Sequence, residues 1–165
     1  MCKLVSIDPS LRGTGIAWWM DGELVDVTLE SVRGATTRRA WGKCGREIAA
    51  SLETSSHWPQ DVVCEIPQIY KQSPGDPNDL VAVTLVAGAL CARFTDANIT
   101  TVVPSEWKGQ VPKSAHHPRI MRALREPEKA ILDIAQRKAG AAFHNVMDAV
   151  GLGLWYLNKN GQRAR

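Results

Sequence analysis

The chain has 165 residues, 44% apolar and 22% charged, enough for one domain with a substantial core and too few for two ordinary ones. A formal charge of only +3 means that affinity for nucleic acid must come from local basic clusters. Four scattered cysteines (Cys2, Cys44, Cys64, Cys91) form no CxxC pair and argue against zinc and a disulfide framework, and no apolar run is long enough to cross a bilayer. Met1-Cys2-Lys3 leads directly into a strand pattern, so no signal peptide is expected, and the location expected is the cytoplasm.

Leu4 to Asp8 reads as a buried strand, Gly13-Thr14-Gly15 as a tight connection, and Ile16 to Met20 as a second strand. Asp21-Gly22 is a hairpin signal leading into a third strand, Glu23 to Leu29. These three predict an antiparallel meander. Trp41, Cys44, Ile48 and Leu52 recur at helical spacing and predict a helix over 36–53. Asp61 to Ile66 reads as a fourth strand, followed by a loop from Pro67 to Pro77. Asn78 or Asp79 can cap the next helix, which runs through Phe94. That helix is apolar nearly all round (Val81, Val83, Leu85, Val86, Leu90), as expected of a subunit interface or a sandwiched core helix. Ile99 to Val103 is a fifth strand. Residues 105–118 read as a polar connection, Pro127 opens a helix stopped by Gly140, and a last helix spans His144 to Asn158. The expectation is one α/β domain over residues 1–158, with a five-stranded mixed sheet flanked by helices, and a fraying basic tail over 159–165.

Three acids stand against apolar residues: Asp8 after Val5-Ser6-Ile7, Glu65 after Val62-Val63-Cys64, and Asp148 between Met147 and Ala149. A carboxylate beside a core needs a partner, and several that converge suit a bound cation. Asp8 before Pro9 serves equally to end a strand and open a turn. Glu65, directly after a strand core, resists such a reading. Asp148 fits a solvent-facing helix position less well, because apolar residues crowd it. His144 and Asn145 share its helical face, and both also suit helix capping. Oxygen-rich clusters of this kind favour Mg²⁺ or Mn²⁺, and a pair of such ions can activate water against a phosphodiester.

Ile7-Asp8-Pro9-Ser10-Leu11-Arg12-Gly13-Thr14-Gly15 resembles the first-strand motif of the RuvC-type Holliday junction resolvases, within the RNase H-like superfamily. Val62 to Glu65 and Asp148 to Gly153 fall where that family places its second and last acids. The resemblance implies an RNase H-like fold, a three-stranded meander plus two parallel strands, a homodimer, and paired nicks at four-way DNA junctions. It also implies two Mg²⁺ ions per site, with Mn²⁺ able to substitute, held by Asp8, Glu65 and Asp148. The family's fourth ligand, an Asp or His, falls on Asn145, with His144 one residue earlier, and either is a candidate. The segment Pro104 to Lys113 is similar to divergent phage-encoded relatives.

Arg12, Lys71, Lys108, Lys113, Arg119, Arg122 and Arg125 are candidate phosphate contacts, the last three at a spacing that would give a basic helical stripe, and each is also compatible with ordinary solvated surface. Tyr70 is a candidate for stacking on opened bases, or simply packs on its own domain. Of the six tryptophans, Trp107 is the one expected near DNA. Three rival readings share the same residues. One is a nuclease of this fold acting on flaps, forks or RNA–DNA hybrids. Another is an actin-like or sugar-kinase-type ATPase, whose phosphate hairpin is similar to Asp8 to Gly15. The third is a DNA-binding domain without activity.

Overall fold

A computed structural model describes residues 3–31, 41–51, 59–69, 76–109 and 111–163. Five strands, Lys3–Asp8 (β1), Thr14–Met20 (β2), Glu23–Glu30 (β3), Asp61–Glu65 (β4) and Asn98–Val102 (β5), form one sheet in the order β3-β2-β1-β4-β5. β1, β2 and β3 pair antiparallel, whereas β4 runs parallel to β1 and β5 parallel to β4. The expected mixed sheet is therefore present. The β2–β3 turn has Asp21 at φ 50° and Gly22 at φ 81°, the two positive angles that a tight hairpin turn demands.

Helices cover both faces. Trp41–Ser51 (α1) and Pro77–Cys91 (α2) pack together on one side. Pro104–Trp107 (α3), Lys113–Ala123 (α4), Glu126–Ala139 (α5) and Phe143–Lys159 (α6) lie on the other, with α6 across the sheet. The expected helix over 36–53 is seen from Trp41 to Ser51, with residues 32–40 and 52–58 outside the described ones. Asp76, rather than Asn78 or Asp79, caps α2: its Oδ1 accepts from the Asn78 amide at 2.9 Å. Ala82, Val86 and Leu90 of α2 are buried, while Val81 and Leu85 are exposed, so its second apolar side faces solvent in this single chain.

The polar connection expected over 105–118 is the largest correction, because it holds α3 and most of α4. Pro104 starts α3, and Glu106 reaches back to accept from the Val103 amide at 2.7 Å. Pro118 lies within α4 on its exposed face, where the helix tolerates one missing backbone bond. Neither helix has a long apolar stripe, which is why periodicity does not reveal them. The tail expected to fray over 159–165 is tied down at Arg163, the last described residue. The side chain of Arg163 is buried, donating to Glu128 Oε2 at 2.7 Å and lying over the Trp19 ring.

Glu128 holds α5 against the hairpin. It is buried, and its carboxylate accepts from the Leu24 amide at 2.9 Å, the Arg125 amide at 2.7 Å and the Arg163 guanidinium. Burial alone would raise its pKa, but these donors hold it below the usual glutamate value. A carboxyl with a depressed folded-state pKa stabilises the fold at pH above its unfolded value, and that contribution is lost as pH falls through the folded value. Glu128→Gln should cost about 3 kcal/mol near neutral pH, measured by urea unfolding, and the gap to wild type should narrow as pH drops below the ordinary glutamate range.

α6 approaches the sheet closely at Gly15, where a Cβ would lie 2.0 Å from the Asn145 backbone oxygen. Backbone cannot swing aside as a side chain can. Gly15→Ala should destabilise the fold by about 3 kcal/mol, read as a lower denaturation midpoint with unchanged slope.

Candidate active site

Alternation along the strands decides where the acids point. Leu4 and Val63 belong to the core under α6, whereas Val5, Ile7, Val62 and Cys64 belong to the core under α1 and α2. Asp8 shares parity with Leu4, and Glu65 with Val63, so both carboxylates emerge toward α6. Ile7 is opposite Cys64 in the parallel β1–β4 register, which places the two acids side by side at the strand ends. Asp148 meets them from the second turn of α6 and is 2% exposed.

Two of the carboxylates share a single ammonium. Lys108 Nζ lies 3.0 Å from Glu65 Oε2 and 3.4 Å from Asp148 Oδ2. Burial pushes the Lys108 pKa down, but the charges of Glu65, Asp148 and Asp8 together carry it above its ordinary value. Trp107 Nε1 donates to the same Glu65 Oε2 at 2.6 Å, and the Lys108 ammonium sits 4.7 Å from the Trp107 ring centroid. On the other side, His117 Nε2 is 3.1 Å from Asp148 Oδ1. His116 packs edge-on against Trp107 at 5.1 Å, and its burial lowers its pKa. Gly151 of α6 allows this close packing: a Cβ there would lie 2.6 Å from Ile120 Cδ1 and 3.0 Å from the Trp107 ring.

The other expected residues are placed differently. Asn145 is buried, and its side-chain nitrogen donates to the Gly13 carbonyl, tying α6 to the turn after β1. His144 is exposed, its ring against the Ala141 carbonyl at 3.0 Å, on the wall of a cleft shared with His117 and Met147. Trp107, expected near DNA, is buried. Lys108, expected as a surface phosphate contact, lies among the acids. Arg12, Arg119 and Arg122 are exposed, the last two on α4. Arg125 forms an ion pair with Glu23. Tyr70, Lys71 and the side chain of Lys113 lie outside the described residues.

His117 escapes the sequence reading, and Trp107, expected near DNA, proves to hold Glu65. The His116-His117 doublet is visible in the sequence, but only the phase of α4 turns His117 toward Asp148. Hard carboxylate oxygens already sharing a cation match the donor chemistry of Mg²⁺ or Mn²⁺. Among the described residues, no three His, Cys, Asp or Glu side chains gather closely enough to form a ready-made metal cage, and Lys108 bridges Glu65 and Asp148 instead.

No protein-family model matches the chain, and no curated protein matches it. Solved structures do. RuvC of Thermus thermophilus in complex with Holliday junction substrate is similar with a TM-score of 0.65 and 16% identity, covering 98% of each chain. A second Thermus thermophilus RuvC structure gives a TM-score of 0.60 at 14% identity over 97% of each chain. The yeast mitochondrial Holliday junction resolvase Ydc2 gives a TM-score of 0.56 at 10% identity, covering 98% of this chain and 83% of that one. The sheet order, the helices on its two faces and these likenesses together show that the chain shares the fold of these RuvC and Ydc2 structures.

Proposed function

We propose that the protein is a divalent-metal-dependent endonuclease that makes paired nicks in branched DNA, with the four-way junction as its substrate. The observation that carries this reading is the Lys108 ammonium held between Glu65 and Asp148, with Asp8 next to Glu65 at the ends of adjacent parallel strands. Asp8, Glu65 and Asp148 would hold the metal, Mg²⁺ or Mn²⁺ and two ions per site. Bound there, the metal would polarise the phosphodiester and make attacking water more acidic. His117 holds Asp148 in orientation from the side away from Lys108, the supporting role that outer partners of ligating groups commonly have.

The protein's own cations position the substrate. α4 presents His117 to the site and Arg119 and Arg122 to solvent, so the helix that reaches Asp148 also offers charge to a backbone running past it. Arg12, in the turn after β1, adds a cation near the same strand end. Tyr70, Lys71 and Lys113 are proposed to extend this surface. The junction as substrate is supported by the bound DNA named for the Thermus thermophilus neighbour. Coordinated nicks need two active sites, and the solvent-facing apolar residues Val81 and Leu85 of α2 support a homodimer. The free thiols Cys64 and Cys91 accord with a reducing, cytoplasmic setting.

Digestion of a synthetic four-way junction beside linear duplex, flap and RNA–DNA hybrid tests the proposal. Cleavage should favour the junction, require Mg²⁺ and stop with a chelator. Asp8→Asn should abolish cutting while junction binding persists in a gel-shift assay. Preferred cutting of flaps or hybrids would move the substrate, and metal-independent cutting would overturn the mechanism. His117→Ala should reduce the single-turnover cleavage rate by about 10- to 100-fold, more than His144→Ala does.

A further inference from the structure

We infer that Lys108 is the resident counter-cation of the site: its ammonium, bridging Glu65 Oε2 and Asp148 Oδ2, holds the charge position of a divalent ion in the metal-free protein and competes with that ion for the two carboxylates. The inference rests on the metal reading above and deepens it. It concerns what the protein does before metal or DNA arrives.

Three features make the ammonium part of the site. Its side chain is 17% exposed, against 13% for Glu65 and 3% for Asp148, so the contacts are largely withdrawn from water and poorly screened. Its backbone is fixed directly after α3, where the Lys108 amide donates to the Pro104 carbonyl at 3.0 Å. Its ammonium also lies near the Trp107 ring, whose indole already holds Glu65. The lysine is thus aimed at the acids by a built scaffold.

Charge balance says why such a cation is useful. Carboxylates brought together without a compensating charge repel one another. Asp8, Glu65 and Asp148 bring three carboxyl groups to one place, and Lys108 sets one ammonium against two of them. The ammonium thereby holds Glu65 and Asp148 together. It also repels an arriving ion and must yield contacts to it. Divalent affinity is lowered as a consequence, in exchange for a site that stays assembled when metal is scarce.

Calorimetric titration of DNA-free protein with Mg²⁺ and Mn²⁺, comparing wild type with Lys108→Met and Lys108→Arg, tests this. Lys108→Met should bind both ions about tenfold more tightly, because it removes a positive charge a few ångströms from the ion. Lys108→Arg, which keeps the charge, should stay near wild type. In chelator, Lys108→Met should melt below wild type and gain more from added metal. A folded Lys108→Met that binds no more tightly than wild type overturns the inference and leaves the metal reading standing. Absence of divalent binding in both overturns the metal reading as well. If Lys108→Met fails to fold, ¹⁵N-lysine side-chain spectra of the wild type decide the matter. One ammonium resonance should move as Mg²⁺ saturates, and unmoved resonances with metal bound would refute the exchange.

Discussion

Buried anions brought together by a fold must be balanced, and in this protein a single lysine does much of that work. Glu65 ends a strand, Asp148 sits on a helix, and Lys108 follows a short helix between them in sequence, yet one ammonium joins all three elements. The arrangement ties α3 to the end of β4 and to α6. The indole of Trp107 reinforces it from the same short helix, and His117 engages the opposite oxygen of Asp148 from α4. A site assembled from four elements is therefore cross-linked by charge as well as by packing.

The scaffold beneath it is arranged to deliver those charges to one place. Parallel pairing of β1 with β4 sets Asp8 and Glu65 at neighbouring strand ends, and the pleat turns both toward α6. Glycines on both sides let α6 come close enough to meet them. Gly15 lies against the α6 backbone, and a Cβ at Gly153 would lie 2.3 Å from Trp19 Nε1. The Trp19 indole donates to Ser6 Oγ at 2.9 Å in the same layer, so a polar group within the core is satisfied where the helix crosses. Strand ends and close helix contact thus bring Asp8, Glu65 and Asp148 to one place.

The sheet was legible because its signals are local. Alternating burial, the Asp21-Gly22 turn and the Val-Val-Cys run each depend on residues a few positions apart, and the five strands appear close to where those signals put them. Prominence of the three acids was legible for a similar reason, since a charge beside apolar neighbours is conspicuous in the chain. The segment from Pro104 to Pro118 was not legible as helix. Its helices are held by tertiary contacts of Trp107, Ile120 and Leu124 with α6 and the sheet, and its proline and histidine doublet read as a connection. Arg163 was hidden likewise, because its partner Glu128 lies in another helix.

The sequence by itself determined the order of the strands along the chain, the alternation that sends Asp8 and Glu65 to one face, and the presence of acids at the ends of apolar runs. Only the tertiary structure decided which groups those acids meet. It turned Asn145 toward Gly13, left His144 in solvent, and brought Lys108, Trp107 and His117 to the carboxylates. The reason is that a buried charge takes whatever donor the packing of distant elements carries within about 3 Å, and no local periodicity encodes that encounter.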